Sequence, residues 1–74
     1  MKQLYMVVKW NSVYQDNTYW IFTDRASADA CTKHSVIGDD FPVGVATSIS
    51  KAQAQIFGLL PAANSVVVPF TVTP

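Results

Sequence analysis

Glutamate is absent from this chain, arginine occurs once, as Arg25, and cysteine once, as Cys31. Each scarcity closes a class of function. A lone cysteine forms no intramolecular disulfide, and together with the lone histidine, His34, it does not supply the four ligands of a structural zinc site. The lysines Lys2, Lys9, Lys33 and Lys51 are scattered and, with Arg25, balance five aspartates to a net charge of zero. That balance leaves no electrostatic footprint for a nucleic-acid backbone and no basic helix face for a membrane surface. Gly38, Gly44 and Gly58 match neither a phosphate-cradling loop nor a dinucleotide fingerprint. No run approaches the roughly 18 apolar residues of a membrane span. The apolar stretch after Lys2 is broken at Lys9, too early for the core of a signal peptide, and no small-residue cleavage site follows. Asn11, Asn17 and Asn64 lack a Ser or Thr two residues on, so there is no glycosylation sequon. A reducing, cytoplasmic site of synthesis is expected, with a virion as a further location.

What the chain does have is apolar residues, which make up 50% of its 74 positions. That content places it outside the disordered class, and its length allows one domain, 1–74, with one core. A core of this size seldom yields more than about 3 to 5 kcal/mol. With disulfide and metal excluded, association with itself or with a larger assembly is the expected supplement.

Leu4, Met6, Val8 and Trp10 alternate with Tyr5, Val7 and Lys9, the period of a strand. Turn-forming Asn11-Ser12 and Gln15-Asp16-Asn17 bracket Val13-Tyr14, and Thr18 to Phe22 resumes a β-branched and aromatic run that closes a hairpin. Thr23-Asp24 supplies capping residues for an alanine-rich helix over Arg25 to His34, with Ala26, Ala30, Cys31 and His34 as its expected buried side. Val36 to Pro42 reads as a loop and Val43 to Ile49 as a third strand. Ser50-Lys51-Ala52-Gln53 has the pattern of a capping box, so a short helix should run to Phe57 and stop at Gly58. Ser65 to Thr73 is a last strand in which Val66, Val68, Phe70 and Val72 share one face. Pro69, which lacks an N–H, belongs at a sheet edge. The order ββαβαβ implies an α+β fold: a small, mostly antiparallel sheet of about four strands, with one longer and one short helix, both expected on the same side.

Catalysis finds little support. Cys31 and His34 are three apart on the expected helix and can meet on one face, which would favour a thiolate. No Gly-rich oxyanion turn or third orienting residue accompanies them, and buried cysteine is commonly a small hydrophobe. Asp39 and Asp40 lack calcium-loop spacing and, as neighbours on an extended segment, point apart. No cofactor and no metal ligand set is implied.

Two features speak for binding. Tyr5, Trp10, Tyr14, Tyr19, Trp20 and Phe22 crowd one hairpin, and alternation sends their rings to both faces. If helices cover one face only, some rings stay exposed, and Trp and Tyr are favoured at protein-binding hot spots. The second feature is the absence of any charged side chain after Lys51, although Ile56, Phe57, Leu59, Leu60 and Val66-Val67-Val68 lie there. Such a segment is an aggregation hazard unless covered. Tyr5, Trp10, Tyr14, Tyr19, Trp20, Val67 and Phe70 are therefore the candidate protein-binding residues.

The opening, Leu4-Tyr5-Met6-Val7-Val8, then Tyr19-Trp20-Ile21-Phe22 and Thr23-Asp24-Arg25-Ala26-Ser27-Ala28, resembles small bacteriophage-encoded proteins that begin with a β-hairpin and a helix. The resemblance covers the N-terminal half and transfers no functional residue. It implies a non-enzymatic interaction module, a small structural or accessory component of a phage particle or other large assembly. The alternative is a phage-type inhibitor or regulator that binds a single host protein.

Overall fold

The computed structural model describes residues 2–33 and 46–73. His34, the expected loop at 36–42 with Asp39 and Asp40, Gly44, and the expected strand positions Val43 and Val45 lie outside the described residues. The elements are β1 (Lys2–Asn11), β2 (Asp16–Phe22), α1 (Arg25–Thr32), β3 (Ala46–Ile49), α2 (Lys51–Ile56) and β4 (Val67–Val72). The strands form one sheet in the order β3-β2-β1-β4, every neighbouring pair antiparallel. The fold is α+β with the ββαβαβ order that alternation and capping signals imply.

The register decides which side chains share a face. Tyr5 lies opposite Phe22, and Val7 lies opposite both Trp20 and Val67. Val7, Phe22, Ala28 and Cys31 accordingly form one buried cluster, flanked by Tyr5, Trp20 and Val67, beneath α1. On the reverse face Met6 pairs with Ile21 and Val68, and Val8 pairs with Tyr19. There Met6, Val8, Tyr19, Ala54 and Leu59 are buried together, flanked by Ile49, Leu60, Ala62, Val68 and Phe70 among others. The helices thus lie on opposite faces, correcting the expectation that both cover one. The reason is in β1, where Met6, Val7 and Val8 are apolar in succession, so both faces need cover. Each helix offers only a narrow small-residue side, Ala28 and Cys31 on α1 and Ala54 on α2. Burying a side chain such as Phe22 or Met6 contributes about 1.5 to 3 kcal/mol, so the two middle strands carry most of the core.

Local signals fix where each helix starts and stops. Asp24 caps α1, its Oδ2 accepting from the Ser27 amide at 2.9 Å. Hydrogen bonds from Ser27 hold that carboxyl below the usual carboxylate range. The helix ends at Thr32 with Lys33 as its C-cap, short of the expected His34. Ala28 rather than Ala26 or Ala30 is buried beside Cys31, and the latter two are exposed. Residue 28 stands three positions before Cys31 and so shares its face, whereas residues 26 and 30 are turned away.

α2 opens on the expected capping box. Ser50 Oγ accepts from the Gln53 amide at 3.1 Å, and the Ser50 amide donates to Gln53 Oε1 at 3.0 Å. It closes on a Schellman turn: Gly58 N–H donates to the Gln55 carbonyl and Leu59 N–H to the Ala54 carbonyl, each at 3.0 Å. Gly58 has φ +72°, the left-handed conformation such a turn requires. The turn folds Leu59 back onto the cluster that contains Ala54. Among the described residues β4 pairs with β1 alone, so Pro69, opposite Tyr5, sits on an edge strand there, as its missing N–H demands.

Candidate functional site

The candidate residues separate by position. Tyr19 is buried, and Tyr5, Trp20, Val67 and Phe70 are partly buried, packed against the two clusters. Trp10 and Tyr14 are exposed, to 46% and 77%, and Val13 beside Tyr14 is exposed to 81%. With a helix on each face, exposed rings concentrate at the end of the hairpin rather than along one open side. α2 and the residues after it cover the face that a single α-layer would have left bare.

The hairpin tip is built to hold its shape. Asn11 Oδ1 accepts from the amides of Val13 at 3.0 Å and Tyr14 at 3.4 Å, while its Nδ2 donates to Thr18 Oγ1 at 3.3 Å. An Asx turn thus carries the chain across residues 12–15, and Gln15, at φ 51°, completes the reversal. Asn17, the cross-strand partner of Trp10, has a buried Oδ1 with no hydrogen-bond partner among the described residues.

A second exposed group lies at the other end of the chain. Ile56 is 81% exposed, Phe57 51% and Val66 49%. The Phe57 ring lies 5.8 Å from that of Phe70, tilted by 40°, which links the end of α2 to the edge strand β4. No ionisable side chain occurs from Ala52 through Pro74. The candidate set named Phe70 and Val67 but not Ile56, Phe57 or Val66; their signal was the charge-free run itself.

No family model, curated protein or solved structure matches this chain.

Cys31 is fully buried, and burial pushes its thiol pKa up, with nearby Lys9 working in the opposite direction. A raised thiol pKa disfavours the thiolate a nucleophile needs. No group of three or more His, Cys, Asp or Glu residues is placed to hold a metal ion among the described residues. No described helix is long and apolar enough to cross a membrane.

Lys9 escaped the reading of the sequence, where it stands as one of several scattered lysines. It is only 2% exposed, and its Nζ donates to Ser65 Oγ at 2.9 Å. Ser65, at φ 63°, also donates its amide to the Val8 carbonyl at 2.9 Å. This contact clamps the start of the last segment onto β1. A long lysine stem packed among apolar neighbours with its ammonium hydrogen-bonded is a structural device that alternation alone does not reveal.

A cleft of about 400 Å³ opens between α2 and the segment that follows it. Tyr19, Leu60, Pro61 and Ala62 line it, together with Lys51 and Gln55 from successive turns of α2.

Proposed function

We propose that the chain is a non-enzymatic protein-interaction module that works inside a larger assembly, as a small structural or accessory component of a phage particle. The observation that carries this reading is the charge-free segment in which exposed Ile56, Phe57 and Val66 precede β4, a strand paired on one side only among the described residues. Large apolar side chains beside an open strand edge are a liability in a free monomer and an asset once covered. A segment without ionisable side chains adds no like charge of its own when it meets a second copy of itself, which suits repeated packing in a particle. The resemblance of the opening residues to phage-encoded proteins supports the same origin.

A second reading is favoured by a different observation. The hairpin tip fixes Val13 and Tyr14, both exposed, by hydrogen bonds from their backbone amides to Asn11 Oδ1, with exposed Trp10 nearby on the strand leading into the turn. A preorganised aromatic loop suits an inhibitor or regulator that inserts into one host protein, because little ordering entropy is lost on docking.

Site-specific photo-crosslinking separates the two. A benzophenone side chain placed at Phe57 yields self-crosslinks or crosslinks to particle proteins if the assembly reading holds. The same group at Tyr14 yields one foreign product if the inhibitor reading holds. Crosslinking no stronger at either position than at exposed Thr47 would contradict both.

A further inference from the structure

The cleft beside α2 has a chemical character that the protein-binding surfaces do not use. Buried Tyr19 and half-buried Leu60 and Ala62 line it with exposed Pro61, Lys51 and Gln55. Lys51 and Gln55 are four apart on α2, so their side chains leave the same side of the helix. Lys51 has no acidic partner among the described residues, whose ion pair joins Arg25 to Asp29 on α1 instead. The elements around the cleft bring no carboxylate to it: α2 and residues 59–63 contain none. On β2 the nearest, Asp16, lies an odd number of positions from Tyr19 and so projects from the other face. One cation therefore stands beside the apolar side chains of Leu60, Pro61 and Ala62 and the Tyr19 ring, with an amide one turn away.

That combination selects by exclusion. A metal ion finds no anionic ligand there among the described residues. A phosphate is served by several donors or an arginine fork, and the cleft holds one ammonium and no arginine. A neutral hydrocarbon would cover an ammonium without giving it a partner. A carboxylate attached to a flat apolar body satisfies every part: one oxygen on Lys51 Nζ, the other on the Gln55 amide N–H, and the body against Tyr19 and Pro61. The volume sits at the small end of the range for ligand pockets and is ample for a single ring, since a cavity of about 150 Å³ already holds benzene.

We propose that this cleft binds a small aromatic carboxylate. The site is independent of the assembly reading, and its ion pair is exposed to solvent, so binding is weak, on the order of millimolar, and weakens with added salt.

The test is titration of the isotopically labelled protein with benzoate at fixed ionic strength, followed by amide NMR. Expected are saturable shifts confined to the amides of Tyr19, Lys51, Gln55, Leu60 and Ala62. Lys51→Gln should weaken benzoate about five-fold, the worth of one exposed ion pair, and benzamide should bind as poorly to the native protein as benzoate does to the variant. Lys51→Arg keeps the charge and should retain binding, which separates lost recognition from lost folding. Absent or dispersed shifts, or equal binding of benzoate and benzamide, would overturn the proposal. Tighter binding of a short peptide ending in Phe would overturn it in favour of a protein C-terminus.

Discussion

The hairpin tip and the C-terminal edge both expose large apolar side chains, yet they are built on opposite principles. At the tip, Val13 and Tyr14 stand among Ser12, Gln15 and Asp16 on a turn fixed by Asn11. At the edge, Ile56, Phe57 and Val66 lie within a segment that has no charged side chain and that leads to a strand paired on one side only among the described residues. Isolated aromatics on a polar turn are tolerated on a monomer surface, whereas an extended neutral edge invites another polypeptide. The contrast teaches that exposure alone does not mark an interface; its electrostatic surroundings and the backbone next to it do.

The largest expected effect removes the support common to both regions. Phe22→Ala empties the centre of the α1-side cluster and should cost about 3 to 5 kcal/mol, comparable with the whole stability of a domain this small. Urea denaturation should find the variant largely unfolded in water. A well-folded variant would show that the α1 face contributes less than its burial implies.

A matched pair then sharpens the comparison. Asn11→Ala removes the acceptor shared by two tip amides and should cost about 1 kcal/mol, with faster hydrogen exchange at Val13 and Tyr14 and none of that change near α2. Ser50→Ala removes the α2 cap for a similar cost, about 1 kcal/mol, and should loosen Phe57 while leaving the tip unchanged. If either variant disturbed both regions, the claim that they are built independently would fail.

Smaller in stability but decisive for association is Ile56→Lys. At an exposed position it should change stability by less than about 0.5 kcal/mol, while the introduced charge repels itself across any self-interface. The smallest effect is a pH dependence. Burial raises the thiol pKa of folded Cys31, so the folded chain keeps its proton where the unfolded chain has lost it. Stability should therefore be flat below the ordinary thiol range and decline as pH rises through it. Cys31→Ala should lack that decline, and an identical pH profile in both proteins would argue against the assigned shift.

Much of the fold was legible because its signals are local. The capping box at Ser50 and the stop at Gly58 depend on hydrogen bonds between residues near in sequence, and both stand as the residue types predict. Pro69 likewise placed its strand at an edge. The side of the sheet taken by each helix was not legible, since it depends on how β3 and α2 return beneath β2 and β1. The buried role of Lys9 depended on Ser65, 56 positions away, and no local pattern reports such a contact. Among the candidate residues, the exposure of Tyr14 agrees with its place between turn-forming residues, whereas Trp10, which alternation groups with Leu4, Met6 and Val8, is exposed at the strand's end. The packing of Tyr5, Tyr19 and Trp20 required knowing that both faces are covered.

The most direct measurement is the molar mass of the purified protein by light scattering across a concentration series, run beside Ile56→Lys. The assembly account predicts a mass that rises with concentration to a defined multiple of one chain, and a variant that stays at the mass of one chain. A native protein that remains a single chain at every concentration would contradict packing of this edge against copies of itself.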